Sequence, residues 1–139
     1  MAIIGLEDLS ADECWNLIAD VPVGRVYVDA GEHPAIMPVI FIAHARTIAF
    51  RTAPGDKLIA AVLHRPSVFE VDVWDEATHD GWSVNVSGTL HEVTDHTEIA
   101  ALDAFGLPAW AAPEARDRWV QLVPDHVSGR RLFPGTEMT

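Results

Sequence analysis

The sequence predicts one mostly β domain, an antiparallel barrel or sandwich of about six strands with two or three short helices. Runs rich in β-branched and aromatic residues recur at hairpin spacing, turn-forming clusters separate them, and no regular βαβ alternation is present to build a parallel sheet. The 139 residues, 49% of them hydrophobic, suffice for a full core. We therefore treat residues 1–139 as one domain, with a short helical N-terminus and an irregular C-terminal tail from about residue 134.

The first predicted element is a short helix. Ser10 and Glu13 have the spacing of a capping box, in which each side chain accepts a hydrogen bond from the other residue's backbone N–H. Cys14, Leu17 and Ile18 follow at helical spacing. The pattern predicts an amphipathic helix that begins after Ser10.

A hairpin and a third strand follow the helix. The segment Val23 to Val28 predicts a strand, and the turn-forming cluster Asp29 to His33 links it to the segment Ala35 to Ala43. The latter is apolar at nearly every position, so both of its faces must be covered. One face can line a barrel, but the other needs a helix or a second subunit, and we take a homodimer as the hypothesis. Ile48 to Thr52 predicts the third strand.

The periodicity changes after Pro54-Gly55. From Leu58 to Leu63 the apolar residues lie on one helical face, and Pro66 ends this helix. The segment Val68 to Trp74 alternates strictly and predicts a fourth strand. After an acidic loop, Trp82 to His91 predicts a longer fifth strand.

The last third of the chain predicts a helix and one more strand. Asp95 or Thr97 can cap a helix that runs to about Gly106. Trp119 to Val123 and Val127 to Phe133 then predict either one bent strand or a hairpin.

Charge and cysteine content narrow the class of protein. A formal charge of −12 opposes general attraction to nucleic acid or to an anionic membrane surface. The only cysteine, Cys14, excludes an intrachain disulfide and a Cys-pair zinc motif, and its apolar helical position predicts a buried, inert thiol. No signal peptide or run of 18 apolar residues is evident, so we expect a cytoplasmic protein.

Two patterns raise the possibility of a metal site, and neither favours one. His91-Glu92 and His96 resemble a zincin motif, but the histidines are five positions apart instead of four and would lie on different helix faces. The acidic residues between Asp72 and Asp80 lack the spacing of an EF-hand loop. Exposed histidines and a solvated acidic loop are the simpler interpretations.

An anion site is the strongest local prediction. Arg51 and Thr52 end a strand, and Lys57, the only lysine in the chain, lies in the first turn of the next helix. A guanidinium, a hydroxyl, an ammonium and free helix N–H groups in a small volume suit a phosphate. The alternative is that Arg51 and Lys57 are ordinary surface charges.

The order and spacing of these segments resemble the pyridoxamine 5′-phosphate oxidase-like proteins of the FMN-binding split-barrel superfamily. More narrowly, they are similar to the short actinobacterial members and the nitroimidazole-resistance-type flavoproteins. The likeness covers about residues 7–133. The segments that carry it are Phe50-Arg51-Thr52-Ala53-x-Gly55-x-Lys57, Phe69-Glu70-Val71-Asp72, Gly81-Trp82-Ser83-Val84-x-Val86-x-Gly88 and Val123-Pro124-Asp125-x-Val127-Ser128-Gly129-Arg130-Arg131.

The resemblance implies a six-stranded antiparallel split barrel and a homodimer with one FMN, or a related deazaflavin, in each of two interface clefts. It assigns the cofactor phosphate to the end of the third strand and the start of the next helix. It assigns the flavin ring to the second strand, and further contacts, in many relatives from the partner subunit, to the start of the long strand. The corresponding positions are Arg51, Thr52, Ala53 and Lys57; Met37, Pro38, Val39, Ile40 and Phe41; and Trp82 and Ser83.

Departures from the family pattern limit the activity that the resemblance implies. The substrate-binding C-terminal Arg and Trp of true pyridoxamine phosphate oxidases have no counterpart after Phe133, so that reaction is not expected. Arg51 stands where nitroimidazole-resistance proteins tend to have a histidine, and Ile40 where many relatives have an asparagine.

Two functions from different classes follow from the resemblance. The first is a flavin- or F420-dependent reductase of a small molecule, and the second is a noncatalytic flavin carrier or sensor. FMN is the favoured cofactor, because the polyglutamate tail of F420 would need more basic residues than this acidic chain offers. The catalytic residues, the substrate and the reductant are not identified by the sequence.

Overall fold

Seven strands form one antiparallel sheet in the computed structural model, which describes residues 3–31, 33–52, 57–108 and 118–135. Three helices accompany them within these ranges. The elements are β1 (Ile4–Leu9), α1 (Ala11–Ile18), β2 (Val23–Asp29), β3 (Pro34–His44), β4 (Thr47–Thr52), α2 (Lys57–Val62), β5 (Pro66–Asp75), β6 (Asp80–Glu92), α3 (His96–Asp103) and β7 (Arg118–Pro134). The mostly β prediction is therefore confirmed, and so is the predicted order of strands and helices from α1 onward.

The sheet closes into a barrel through β7. The strand order is β1-β7-β4-β3-β2-β5-β6, and β6 also pairs with β7, so β2 to β7 form the closed, six-stranded part. The first third of β7 pairs with β4, for example Val120 with Phe50, whereas its last third pairs with β1, for example Leu132 with Leu6. One long strand thus joins the barrel to the N-terminal segment.

The prediction of a short helical N-terminus is incomplete, because the strand β1 precedes the helix α1. β1 pairs with a part of β7 that lies 120 to 130 residues later in the chain. Two exposed ion pairs accompany this pairing, Glu7 with Arg131 at 3.8 Å and Asp8 with Arg130 at 3.9 Å. The helix itself is confirmed, since Ser10 and Glu13 form the full capping box before α1.

The barrel interior holds the main core. Phe41 and Phe69 meet edge to face there, with ring centroids 4.6 Å apart. Cys14 and Ile18 of α1 are both fully buried against the same core. The buried thiol predicted for Cys14 is confirmed, and burial raises its pKa.

A second, smaller core lies outside the barrel, beneath α3. It contains Ile42, Ala49 and Trp119 on the outer face of the sheet and Leu102 on the helix. The helix therefore covers one end of the outer face of β3. The other end is uncovered in the single chain, where Ile36 is 65% exposed.

The last strand bends at a β-bulge. Ser87 pairs with His126 and Gly88 pairs with Pro124, so Asp125 is an extra residue in β7. A Cβ atom at position 88 would lie 2.1 Å from the carbonyl oxygen of Val123, which explains the glycine. Of the two predicted possibilities, the bent strand is correct and the hairpin is wrong.

The structure decides between the two candidate caps of α3, and this choice can be tested. The Asp95 carboxylate accepts a hydrogen bond from the backbone N–H of Glu98 at 3.0 Å, whereas Thr97 lies inside the helix. We expect Asp95→Ala to lower the free energy of unfolding by about 1 kcal/mol, because the cap is lost. Thr97→Ala is the control and should change it by less than about 0.5 kcal/mol. Urea unfolding measures both values, and equal losses would contradict the assignment of the cap.

Candidate functional site

The end of β4 places two of the predicted phosphate ligands on opposite sides of the sheet. Thr52 faces the barrel and is buried, whereas Arg51 lies on the outer face and is half-buried. Residues 53–56, and with them the predicted ligand Ala53, lie outside the described residues. α2 begins at Lys57, whose side chain is also outside them. Four residues separate Thr52 from Lys57, so the two Cα atoms are five steps apart and the start of α2 is at most about 17 Å from the end of β4.

Arg51 is held by the segment that follows α3. Its Nη2 atom donates hydrogen bonds to the carbonyl oxygens of Leu107 and Pro108, the second at 2.9 Å. Its guanidinium carbon lies 5.2 Å from the centroid of the Trp119 ring, a cation–π distance. Arg51 and Trp119 are cross-strand neighbours in β4 and β7. The guanidinium therefore has a fixed location at the end of β4.

An open edge of β3 lies beside this position. β4 pairs with β3 only from Phe41 to His44, so within the described residues no strand pairs with residues 34–40 on that side. Pro38 falls in the open stretch and pairs with Arg25 of β2 on the other side. A proline lacks the N–H that a paired neighbour would require, and the open edge explains why it is tolerated in a sheet. The split in the barrel therefore lies next to Arg51.

The five predicted positions on β3 divide between two faces. Val39 and Phe41 are buried in the barrel, and Met37 packs against the same core. Pro38 and Ile40 point outward and are exposed. Only these two can offer side chains to a ligand outside the barrel. The backbone N–H of Phe41 donates to the carbonyl of Pro22 at 3.3 Å, so the backbone groups of Phe41, and by alternation those of Met37 and Val39, face β2.

Trp82 and Ser83 are far from Arg51 within one chain. On β7, Trp82 pairs with Arg131 and Ser83 with Arg130, whereas Arg51 pairs with Trp119. Trp119 and Arg131 lie near opposite ends of β7, separated by at most about 40 Å at 3.3 Å per residue and by less because the strand bends at the bulge. The fold of one chain therefore does not bring the predicted ligands of β6 to the predicted phosphate site.

Two clefts flank the start of β6. Trp82 and Arg131 line one of about 540 Å³, together with Asp75, Thr78 and Asp80 of the β5–β6 turn region. Ser83 lies in a second cleft of about 450 Å³, which is lined mainly by polar groups. Asn85, Ser128 and Arg130 are among them.

The exposed side of the β2–β3 hairpin is apolar with one charged cluster. We call this surface the β2–β3 outer face, and it consists of Val23, Arg25, Tyr27, Ile36, Pro38 and Ile40. Arg25 lies 3.3 Å from a carboxylate oxygen of Glu70 and 3.7 Å from one of Asp72. Partial burial and the neighbouring Asp72 carboxylate raise the pKa of Glu70. The Arg25 guanidinium therefore pairs with two carboxylates, those of Glu70 and Asp72, beside an exposed apolar surface.

The sequence did not indicate the residues that hold Arg51. Asp103 accepts a hydrogen bond from the Trp119 indole N–H at 2.8 Å, and the carbonyls of Leu107 and Pro108 accept from Arg51. These contacts join residues 16 to 57 positions apart. Local periodicity carries no signal for such contacts.

A closed antiparallel barrel split along β3 defines the class of this protein, a split-barrel protein. The chain belongs to the family described as Pyridoxamine 5′-phosphate oxidase, whose sequence model matches residues 10–131. The predicted resemblance is thereby confirmed at the level of family and fold. No described helix is long and apolar enough to cross a membrane.

Individual relatives agree with this assignment. The chain is 32% identical over 130 residues to the uncharacterized protein Rv0080 of Mycobacterium tuberculosis, covering 90% of this chain and 84% of that protein. The FAD-binding protein of Mycobacterium smegmatis has a similar structure, with a TM-score of 0.79, 35% identity, and coverage of 90% and 98% of the two chains. A candidate pyridoxamine 5′-phosphate oxidase from Corynebacterium glutamicum has a TM-score of 0.80 and 32% identity, covering 93% and 99%.

Proposed function

We propose that this protein binds a flavin through its phosphate at the end of β4, and that FMN is the cofactor. The observation that carries the proposal is the fixed position of Arg51 at the end of β4, beside the open edge of β3. Arg51 and Lys57 supply a guanidinium and an ammonium, the donor types that suit a phosphate, whereas the Thr52 side chain is buried on the barrel side of β4. The FAD-binding relative from Mycobacterium smegmatis supports a flavin at this kind of fold.

The flavin ring would lie along the open edge of β3. The side chains of Pro38 and Ile40 face outward there. Because the Phe41 N–H donates toward β2, alternation along the strand turns the carbonyl groups of Pro38 and Ile40 and the N–H of Ile40 to the open edge. A bound flavin accepts and gives up electrons and hydride, and the protein contributes binding, orientation and exclusion of water.

Trp82 and Ser83 would reach the same cofactor from a second subunit. Within one chain these residues are far along β7 from Arg51, so only another copy can supply them. The β2–β3 outer face supports this arrangement, because it exposes apolar side chains that a single chain leaves in water. We therefore propose a homodimer with two cofactor sites that share residues of both subunits.

The dimer is tested by placing a charge on the β2–β3 outer face. We expect Ile36→Glu to convert the dimer to monomer, because a carboxylate at a 65% exposed apolar position would be buried unpaired on association. Val123→Glu is the control, since Val123 is 43% exposed on the opposite, β6–β7 side of the barrel. Sedimentation velocity measures both variants. A wild-type monomer, or an Ile36→Glu variant that remains dimeric, would contradict this interface.

The identity of the cofactor is tested by titration. FMN and FAD share the riboflavin 5′-phosphate portion, so the same phosphate site serves either, whereas F420 adds an acidic tail. We expect FMN to bind at micromolar concentration or tighter, with quenching of flavin fluorescence, and F420 to bind more weakly to this chain of charge −12. If the protein prefers FAD, the proposed phosphate site stands and FAD takes the place of FMN as the proposed cofactor. Absence of saturable binding for all three would overturn the flavoprotein proposal.

The reductase and the carrier are distinguished by turnover. The reductase hypothesis predicts reduction of the bound flavin by NADPH, or oxidation of reduced F420, followed by electron transfer to a small electrophile. The carrier or sensor hypothesis predicts stable binding with no turnover beyond that of free flavin. We favour the reductase, because a ring at the open edge of β3 would be accessible to a small molecule.

A further inference from the structure

Arg51 is the last member of a chain of contacts that begins on α3. Asp103, at the end of α3, accepts the hydrogen bond from the Trp119 indole N–H at 2.8 Å. Trp119 is 3% exposed, and the Arg51 guanidinium lies over its ring. The carbonyl oxygens of Leu107 and Pro108, in the segment after α3, hold the same guanidinium through Nη2. Two parts of the chain, β7 and the segment after α3, therefore contact the Arg51 side chain, and α3 reaches it through Trp119.

Each contact favours one position of the guanidinium. A carboxylate at the indole N–H increases the negative potential over the ring face, and so strengthens the attraction of the cation. The two carbonyl oxygens accept charge-assisted hydrogen bonds, which fix the orientation of the guanidinium plane. An arginine restrained in this way loses little additional conformational freedom when an anion binds.

We propose that Trp119 and Asp103 are positioning residues for the phosphate site, acting on the ligand only through Arg51. The proposal rests on the proposed function, in which Arg51 contacts the cofactor phosphate. It assigns to α3 a role beyond covering the outer face of the sheet. The helix sets the affinity for the phosphate-bearing end of the cofactor without touching it.

Two variants test this role. Trp119→Phe keeps an aromatic ring and removes the N–H, whereas Asp103→Asn keeps an oxygen acceptor and removes the charge. We expect each to raise the Kd for FMN by about 3- to 10-fold, the cost of ordering one long side chain. The Kd for riboflavin, which has no phosphate, should stay within about 2-fold of wild type. Asp103 is exposed, so Asp103→Asn should not affect folding. It therefore still tests the proposal if the Trp119→Phe variant does not fold.

A matched control is available on the β5–β6 hairpin. Trp74 donates its indole N–H to Glu76 at 2.8 Å, the same kind of bond as that between Trp119 and Asp103, and it is 45% exposed. Trp74→Phe should leave the Kd for FMN unchanged. In an Arg51→Met background, Trp119→Phe should add no further loss, because the two residues act as one unit.

The outcomes separate the positioning role from the flavin site itself. Wild type that binds FMN, with Trp119→Phe and Asp103→Asn weakening FMN but not riboflavin, supports the proposal. If the variants lose equal affinity for FMN and riboflavin, or if neither variant loses affinity, the positioning role is overturned. The proposed flavin site stands in both cases. Failure of the wild-type protein to bind FMN and FAD would overturn both.

Discussion

Replacing Lys57 by alanine is expected to weaken the binding of FMN by about 10-fold or more. The ammonium at the first turn of α2 donates a charge-assisted hydrogen bond to a phosphate oxygen in the proposed complex, worth about 1.5–3 kcal/mol. No other lysine exists in the chain to replace it. Fluorescence titration of the variant with FMN gives the change in Kd.

Three comparisons make this result specific. Lys57→Arg keeps the charge and should recover most of the affinity. Riboflavin should bind the wild type and Lys57→Ala alike. Arg46 is a different exposed cation, which lies on the β3–β4 turn and pairs with Asp12 of α1. Arg46→Ala should leave the Kd for FMN unchanged. An unchanged Kd in Lys57→Ala would remove Lys57 from the site.

Replacing Phe69 by alanine is expected to cost about 3–5 kcal/mol of folding free energy. Phe69 is fully buried, meets Phe41 edge to face, and covers Gly24, where a Cβ atom would lie 2.4 Å from its ring. Its removal leaves a cavity between β2, β3 and β5 that this rigid barrel cannot close. Domains commonly have a free energy of unfolding of about 5–15 kcal/mol, so this substitution would remove a large part of that stability.

Chemical denaturation of Phe69→Ala measures the loss. Phe105→Ala is the matched control, because Phe105 is 50% exposed and its main aromatic neighbour is His44. We expect it to cost less than about 1 kcal/mol. Similar losses for the two variants would mean that the Phe41–Phe69 contact is not central to the core.

The sequence predicted the strands of the barrel, but it did not predict the first strand, β1. The sequence of β5 alternates between apolar and polar residues, and this pattern alone predicted a half-buried strand. The burial follows the alternation through Val71, whereas the last four residues, Asp72 to Asp75, are all exposed. β1 gives no such signal, since most of its positions are exposed and its partner in β7 is distant in sequence. Pairing with a distant strand stabilises β1 more than any local preference does.

The candidate site was predictable in part for the same reason. The residue types of Arg51, Thr52 and Lys57, at a strand end and a helix start, predict an anion site, but they could not show that Thr52 faces the barrel while Arg51 lies on the outer face. The apolar pattern of β3 could not show which residues face outward, because both faces are apolar. The structure assigns Pro38 and Ile40 to the outside.

The crystal structure of the protein with FMN bound tests the central claim most directly. We expect the phosphate within hydrogen-bonding distance of Arg51 and Lys57, and the ring along the open edge of β3. Trp82 and Ser83 of the second subunit should contact the same cofactor. A flavin phosphate away from the end of β4, or a flavin held entirely by one chain, would contradict the account.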